Sequence, residues 1–248
     1  MAEIDYNQKR GIADEVHWNR FVLTVGGELV GPHIKSQGVK NADYIFPAAK
    51  VIAELKILQT EFAHTKETLQ KVDVLIERYP GVNPDDATKP LRRELLLLLR
   101  KPLQRIINNA NRQIKETKQE LGLADWSGVI ICVNDGFRAA PLVLVLGLIA
   151  HVLSRTSYTN TDALIYQTSH YIELPESPYA QLLWHPTYST NASDSLVEFV
   201  NDLGRRWSRF ANAEDGPYDI IEEHDNINLG KASVVTGPRR KNRYVNKP

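Results

Sequence analysis

Residues 41–58 read Asn41-Ala42-Asp43-Tyr44-Ile45-Phe46-Pro47-Ala48-Ala49-Lys50-Val51-Ile52-Ala53-Glu54-Leu55-Lys56-Ile57-Leu58. They decide the fold because they describe two adjoining strands that carry charge where strands are usually apolar. Successive strand side chains point to opposite faces. Val51, Ala53, Leu55 and Ile57 therefore share one apolar face, and Lys50, Ile52, Glu54 and Lys56 share the other. A turn through Phe46-Pro47-Ala48-Ala49 that folds the first strand back on the second brings Asp43 near Glu54. Two carboxylates and one ammonium then meet at one spot, and carboxylates that close repel each other unless a cation lies between them. An isolated Glu-x-Lys is usually a solvent-facing pair on an edge strand. The upstream Asp43 and the flanking apolar strand favour the functional reading.

An Asp at the start of one strand, followed a short loop later by Glu-x-Lys near the end of an apolar strand, resembles the active-site hairpin of the PD-(D/E)XK nuclease superfamily. The match in element order covers about residues 12–168, although its specific residues number only three, and Ala42 stands where that family often has Pro. The resemblance implies an α/β fold with a restriction-endonuclease-like mixed central sheet flanked by helices, here with an additional C-terminal strand and helix. It further implies that Asp43 and Glu54 hold Mg2+ (or Mn2+) together with the main-chain carbonyl of Leu55. Lys56 then orients or activates the attacking water. The family often adds one more carboxylate from the helix before the hairpin, for which Glu15 and Glu28 are the candidates. Glu15 is preferred because it borders the apolar stripe within an unbroken helical stretch.

The chemistry suits these residue types independently. Mg2+ prefers carboxylate and carbonyl oxygens and keeps several waters, so two acids and a carbonyl leave positions for a phosphate oxygen and a nucleophilic water. The metal acidifies that water, and a nearby ammonium stabilises hydroxide and the charge developing at phosphorus.

At 248 residues with 42% hydrophobic content, the chain is expected to form one domain over residues 1–236. Lys+Arg and Asp+Glu both number 30, so any nucleic-acid contact, with DNA the first expectation, must come from local patches. The single cysteine, Cys132, excludes an intrachain disulfide and a cysteine-based zinc site and fits a cytoplasmic location. The first residues carry no apolar signal core, and the longest apolar run, Ala139 to Leu153, is shorter than the ~20 residues a membrane span needs.

Around the hairpin, residues 12–30 show a helical stripe of Trp18, Phe21, Val22, Val25 and Leu29. The loop 31–40 delivers the chain to Asp43. Thr60 to Tyr79 is helical and stops at Pro80-Gly81, Asn83-Pro84-Asp85-Asp86 forms a turn, and a longer helix runs from about Leu91 to Leu121, with a bend expected at Pro102. The run Leu95–Leu99 should be buried. After Pro102, Leu103, Ile106, Ile107, Ala110 and Ile114 fall on one side of a helical wheel, and Lys101, Arg105, Arg112 and Lys115 cluster opposite within roughly 80°. Such a row suits a phosphate backbone, although a solvated amphipathic face explains it too. The local phrase Ala110-Asn111-Arg112-Gln113-Ile114-Lys115 resembles a helix that some nuclease-like proteins place beside the hairpin.

Residues 127–136 read as a strand buried on both sides and closed by a turn, which claims Asp135; 141–154 as a buried helix; and 162–168 as a further strand. Leu182 to Tyr188 suggests an edge strand. Ser193 caps a helix to Phe210, whose terminal Arg205, Arg206 and Arg209 suit the helix dipole. Residues 237–248 are basic without an acid and are expected to be a disordered tail.

Paired histidine metal spacings, phosphate-binding glycine loops, dinucleotide fingerprints and Gly-x-Ser-x-Gly elbows are all missing from the sequence. Three readings stand. The first is a metal-dependent nuclease, with a homodimer compatible. The second is a non-catalytic nuclease-like binding or assembly protein of a defence or nucleic-acid-handling system. In the third, an unrelated α/β protein, Asp43, Glu54 and Lys56 never meet.

Overall fold

The computed structural model describes residues 4–59, 65–81, 89–138, 141–154, 158–175, 177–224, 228–235 and 241–246. The order is α1 (Glu15–Thr24), β1 (Glu28–Leu29), β2 (Tyr44–Phe46), β3 (Val51–Leu58), α2 (Lys66–Glu77), α3 (Lys89–Leu121), β4 (Ser127–Asn134), α4 (Leu142–Leu153), β5 (Ala163–Thr168), β6 (Ile172–Glu173), β7 (Tyr179–Tyr188), α5 (Asp194–Asp215), β8 (Ile220–Glu223), β9 (Ser233–Val234) and β10 (Lys241–Asn246). The sequence positions at 60–64, 83–86 and 236–240 lie outside the described residues.

Strand alternation sorts the core into two layers on either side of one mixed sheet, ordered β1-β2-β3-β4-β5-β7-β10-β8. Val51, Ala53, Leu55, Val129, Ile131, Ala163 and Ile165 face one way and pack with Trp18, Phe21 and Val22 of α1 and Leu196, Val200, Leu203 and Trp207 of α5. Ile52, Ile130, Cys132, Leu164 and Tyr166 face the other way, onto Leu103, Ile107 and Ile114 of α3 and Val145, Ile149 and Val152 of α4. The first layer is locked by Trp18 stacked on Trp207, with ring centres 3.9 Å apart and planes within 9°. Pairs of this kind add about 0.5–1.5 kcal/mol beyond the area they bury.

The sheet centre, β3-β4-β5, is parallel; β2 and β7 run antiparallel to it at either side. Parallel neighbours require crossovers, supplied by α2 and α3 between β3 and β4 and by α4 between β4 and β5. A Cβ on Gly128, at the start of β4, would lie 1.8 Å from the Asn160 carbonyl oxygen, so only glycine lets the β5 approach loop close there.

Several sequence expectations need correction. The first helix ends at Thr24, because Gly26 at φ +83° turns the chain into β1. The long helix starts at Lys89 rather than Leu91 and runs to Leu121 with Pro102 inside it. In the leucine run, Leu97 is exposed and Leu95 and Leu98 are only half-buried, with Leu97 and Leu98 lining a cleft against α2. The strand with Leu182 to Tyr188 is internal, between β5 and β10; among the described residues β10 pairs as far as Trp184, two residues short of Pro186.

The expected disordered tail instead carries β10, inserted in parallel between β7 and β8 with Tyr244 and Val245 buried. Its basic residues concealed the strand: Arg243 pairs with Glu222 of β8 and bonds Gln181 of β7 at 2.8 Å. Because α5 extends to Asp215, Arg205 and Arg206 are not at its end, and they pair with Asp202 and Glu223. Among the described residues no helix is long and apolar enough to cross a membrane.

Candidate functional site

The site begins with the turn between β2 and β3. Pro47 opens a short 3-10 turn, and Lys50 closes it in the left-handed region at φ 53°. The strands then pair as Tyr44↔Ala53, Ile45↔Ile52 and Phe46↔Val51, so Asp43 lies just past the last pair, beside Glu54 and Leu55. The Leu55 N–H donates to Asp43 Oδ2 at 2.8 Å. In an extended strand the N–H and C=O of one residue point to the same side. The Leu55 carbonyl therefore points to the same side of β3 as the Asp43 carboxylate.

Glu54 is 1% exposed, and Lys56 contacts its Oε1 in an ion pair. Glu54 Oε2 is buried with no hydrogen-bond partner among the described residues, as is the Tyr44 hydroxyl. Burial, then the negative charge of Asp43, pushes the Glu54 carboxyl up to about 8, against the lowering pull of Lys56. Asp43 is also raised, by burial, and held back by the Leu55 N–H and by Lys56. Each carboxyl acts on the titration of the other. With both ionised, Lys56 offsets only one of the two negative charges, and a further cation is favoured there.

The donor set fits a hard divalent ion: two carboxylates and a carbonyl, all oxygen. Among the described residues there is no group of three or more His, Cys, Asp and Glu side chains placed to hold a metal. Of the two candidates for a further carboxylate, Glu28 pairs with His33 at 2.9 Å. Glu15, in the first turn of α1, is exposed, and its charge acts on both Asp43 and Tyr44.

Helix α3 holds the other half of the arrangement. Gln113 Oε1 accepts from Lys56 Nζ at 3.0 Å, and Gln113 Nε2 donates to the Asn41 carbonyl at 3.0 Å. One turn on, Thr117 Oγ1 accepts from the Ala42 N–H at 2.8 Å, and the Lys40 N–H donates to Glu116 at 3.0 Å. The approach to Asp43 is therefore pinned residue by residue to one face of α3. Sequence reasoning placed Gln113 beside the basic row and missed this role, as it missed Thr117 and Tyr44. The available signal was Gln113-x-x-x-Thr117, two polar residues four apart on the border of the apolar stripe.

Lys101, Arg105, Arg112 and Lys115 are all exposed on α3 and extend over about 21 Å of helix at 1.5 Å per residue. Arg112 is partly engaged by Glu116 at 3.8 Å, and Lys101 borders a cleft against α2. Asp135 accepts from Ser169 Oγ at 2.7 Å and Asp162 accepts from the Gly128 N–H at 2.8 Å, which gives both acids structural partners away from the hairpin. Comparison with protein-family profiles, with curated protein sequences and with solved structures finds no match for the chain.

Proposed function

We propose that the chain is a metal-dependent nuclease with a restriction-endonuclease-like architecture, hydrolysing phosphodiester bonds of nucleic acid, DNA first, at Asp43, Glu54 and Lys56. One observation carries this reading: buried Glu54, its Oε2 without a hydrogen-bond partner among the described residues, lies beside half-buried Asp43 and an ammonium that Gln113 holds at the rim. Asp43, Glu54 and the Leu55 carbonyl would hold Mg2+ or Mn2+, which when bound lowers the pKa of a coordinated water and offsets charge on the phosphate. Lys56, held by Gln113, places positive charge where the attacking hydroxide and the crowded phosphorus develop negative charge. Glu15 adds negative charge on the α1 side, and Lys101, Arg105, Arg112 and Lys115 would seat the substrate backbone.

Cleavage of plasmid DNA and of single-stranded RNA in Mg2+ or Mn2+ tests the reading. Glu54→Gln and Lys56→Ala should each lower the rate by about 100-fold or more while leaving DNA affinity intact. Absence of metal-dependent cleavage of either polymer, or cleavage that persists in both variants, overturns it. The contact between Lys56 and Glu54 Oε1, which closes the ammonium onto the acid, favours the non-catalytic binding protein as the second reading; binding without cleavage by the parent chain selects it.

A further inference from the structure

Helix α4 carries apolar residues on every side. Leu142–Leu153 reads Leu-Val-Leu-Val-Leu-Gly-Leu-Ile-Ala-His-Val-Leu, with His151 its one polar side chain. A helix hydrophobic all round is normally covered all round. The sheet side obeys that rule, with Val145, Ile149 and Val152 buried. The opposite side does not: Val143 is 49% exposed, and Gly147 and Ala150 follow it, both exposed, at four- and three-residue spacing.

That side of α4 is one wall of a cavity of about 520 Å³, and the first half of α3 is the other. Leu97, 39% exposed, makes its floor together with Val143, Leu144 and Leu148. Gly147 is the low point, where a Cβ would meet nothing within 4 Å, so a docked side chain can come down onto the α4 backbone. Arg93, Leu97 and Arg100 stand at i, i+4 and i+7 on α3, and Val143, Gly147 and His151 at i, i+4 and i+8 on α4. Each wall is therefore about 10–12 Å long at 1.5 Å per residue, the length of two turns of helix.

The rim is basic. Arg93, Arg100 and His151 border the groove, and no carboxylate lines it among the described residues. Arg100 has only neutral partners there: its Nη1 lies 3.1 Å from His151 Nε2, where a guanidinium can only donate, and its Nε donates to Gln104 Oε1 at 3.2 Å. Arg93 makes no ion pair among the described residues. Two uncompensated cations beside an apolar floor complement an occupant that is apolar on one face and acidic at its flanks. A second copy set groove to groove would bring two more guanidiniums against these, which like-charge repulsion opposes.

We infer that the groove between α3 and α4 docks an acidic amphipathic helix of a partner protein, its apolar residues at i, i+4 and i+7 seated on Leu97, Val143 and Leu148 over Gly147, and its carboxylates meeting Arg93 and Arg100. The groove lies about 20 Å along α3 from Gln113 and does not depend on the nuclease reading.

Fluorescence anisotropy of stapled peptides of about 16 residues, long enough to hold a helix, tests this against the full chain in EDTA. One set carries Leu, Ile, Met or Phe at i, i+4 and i+7 with Glu on the flanks; a second replaces each Glu by Lys; a third scrambles the first at fixed composition. At least one acidic striped peptide is expected to bind about tenfold or more tightly than its Lys and scrambled counterparts. Gly147→Leu fills the low point from a helical position that suits leucine, and should abolish that binding with a thermal midpoint no lower than the parent's. Arg93→Glu combined with Arg100→Glu should turn the preference to the Lys peptide. Three results would each overturn the inference: no acidic peptide exceeding its scrambled form, affinity unaffected by Gly147→Leu, or a concentration-dependent dimer that Gly147→Leu dissociates, which gives the groove to a second copy.

Discussion

Gln113 joins Lys56 to the chain that delivers Asp43: its oxygen accepts from Lys56 Nζ and its nitrogen donates to the Asn41 carbonyl, both at 3.0 Å. One side chain of α3 thus sets the ammonium and the first carboxylate in a common frame. Gln113→Ala removes both bonds, and a destabilisation of about 1–2 kcal/mol is expected by chemical denaturation. Single-turnover cleavage should slow at least tenfold, with DNA affinity unchanged. Gln113→Glu retains the Lys56 contact and loses only the donation to Asn41, so its rate should fall between the two. Equal rates in all three proteins would remove Gln113 from the positioning of Lys56.

Metal and protons should compete for the carboxylate pair. Glu54 is raised in the folded chain to about 8, by burial and then by Asp43. The folded state therefore binds a proton that the unfolded state has already released, and its stabilisation is complete below the ordinary glutamate value and is lost as pH rises through about 8. Buried His170, lowered to about 4, contributes in the opposite direction, but only below its unfolded value of about 6.5. In EDTA, unfolding free energy should fall by about 2 kcal/mol between about pH 6.5 and about pH 8. Glu54→Gln should flatten that slope, and excess Mg2+ should reverse it. A slope identical in parent and Glu54→Gln would assign it to other groups.

Salt dependence measures the basic row. Each phosphate neutralised contributes about 0.9 to the slope of log affinity against log salt, so replacing Lys101, Arg105, Arg112 and Lys115 together by Ala should lower the slope for duplex DNA by roughly 3. Arg112 should contribute least alone, since Glu116 already faces it at 3.8 Å. Fluorescence anisotropy at several salt concentrations reads the change, and a slope unaffected by the fourfold substitution places the DNA elsewhere.

The C-terminal strand is part of the core. Tyr244 and Val245 are 1% and 0% exposed, and β10 supplies the partner of both β7 and β8. A chain ending at Val235 should lose cooperative thermal unfolding, because two strand edges open at once. Tyr244→Ala should cost about 3 kcal/mol, while Lys241→Ala, at an exposed position, should stay within about 0.5 kcal/mol. A truncated chain that melts as the full chain does would contradict the placement of β10.

Much of the central architecture was legible because burial on both faces leaves an unmixed apolar run, as in 127–134, and one-sided burial leaves a stripe, as Leu196, Val200, Leu203 and Trp207 do in α5. The hairpin was legible through Pro47 and the alternation after Lys50. Charged strands were not. Arg243 sits in the sheet because Glu222 and Gln181 lie on the neighbouring strands, residues distant in sequence that composition cannot pair with it. The role of Gln113 was hidden for the same reason: a glutamine on a helix border looks the same whether it faces water or a lysine 57 residues away.

The sequence by itself determined which side chains share a face of each strand and helix, since those periodicities are local properties of the backbone. It thereby put Glu54 and Lys56 on the same side of β3. Only the tertiary structure decided that Asp43 shares their neighbourhood, that α3 clamps the loop leading to it, and that β10 completes the sheet. Each of those depends on hydrogen bonds and charge pairs between segments far apart along the chain, and their free energy appears only once the two core layers have closed around the sheet.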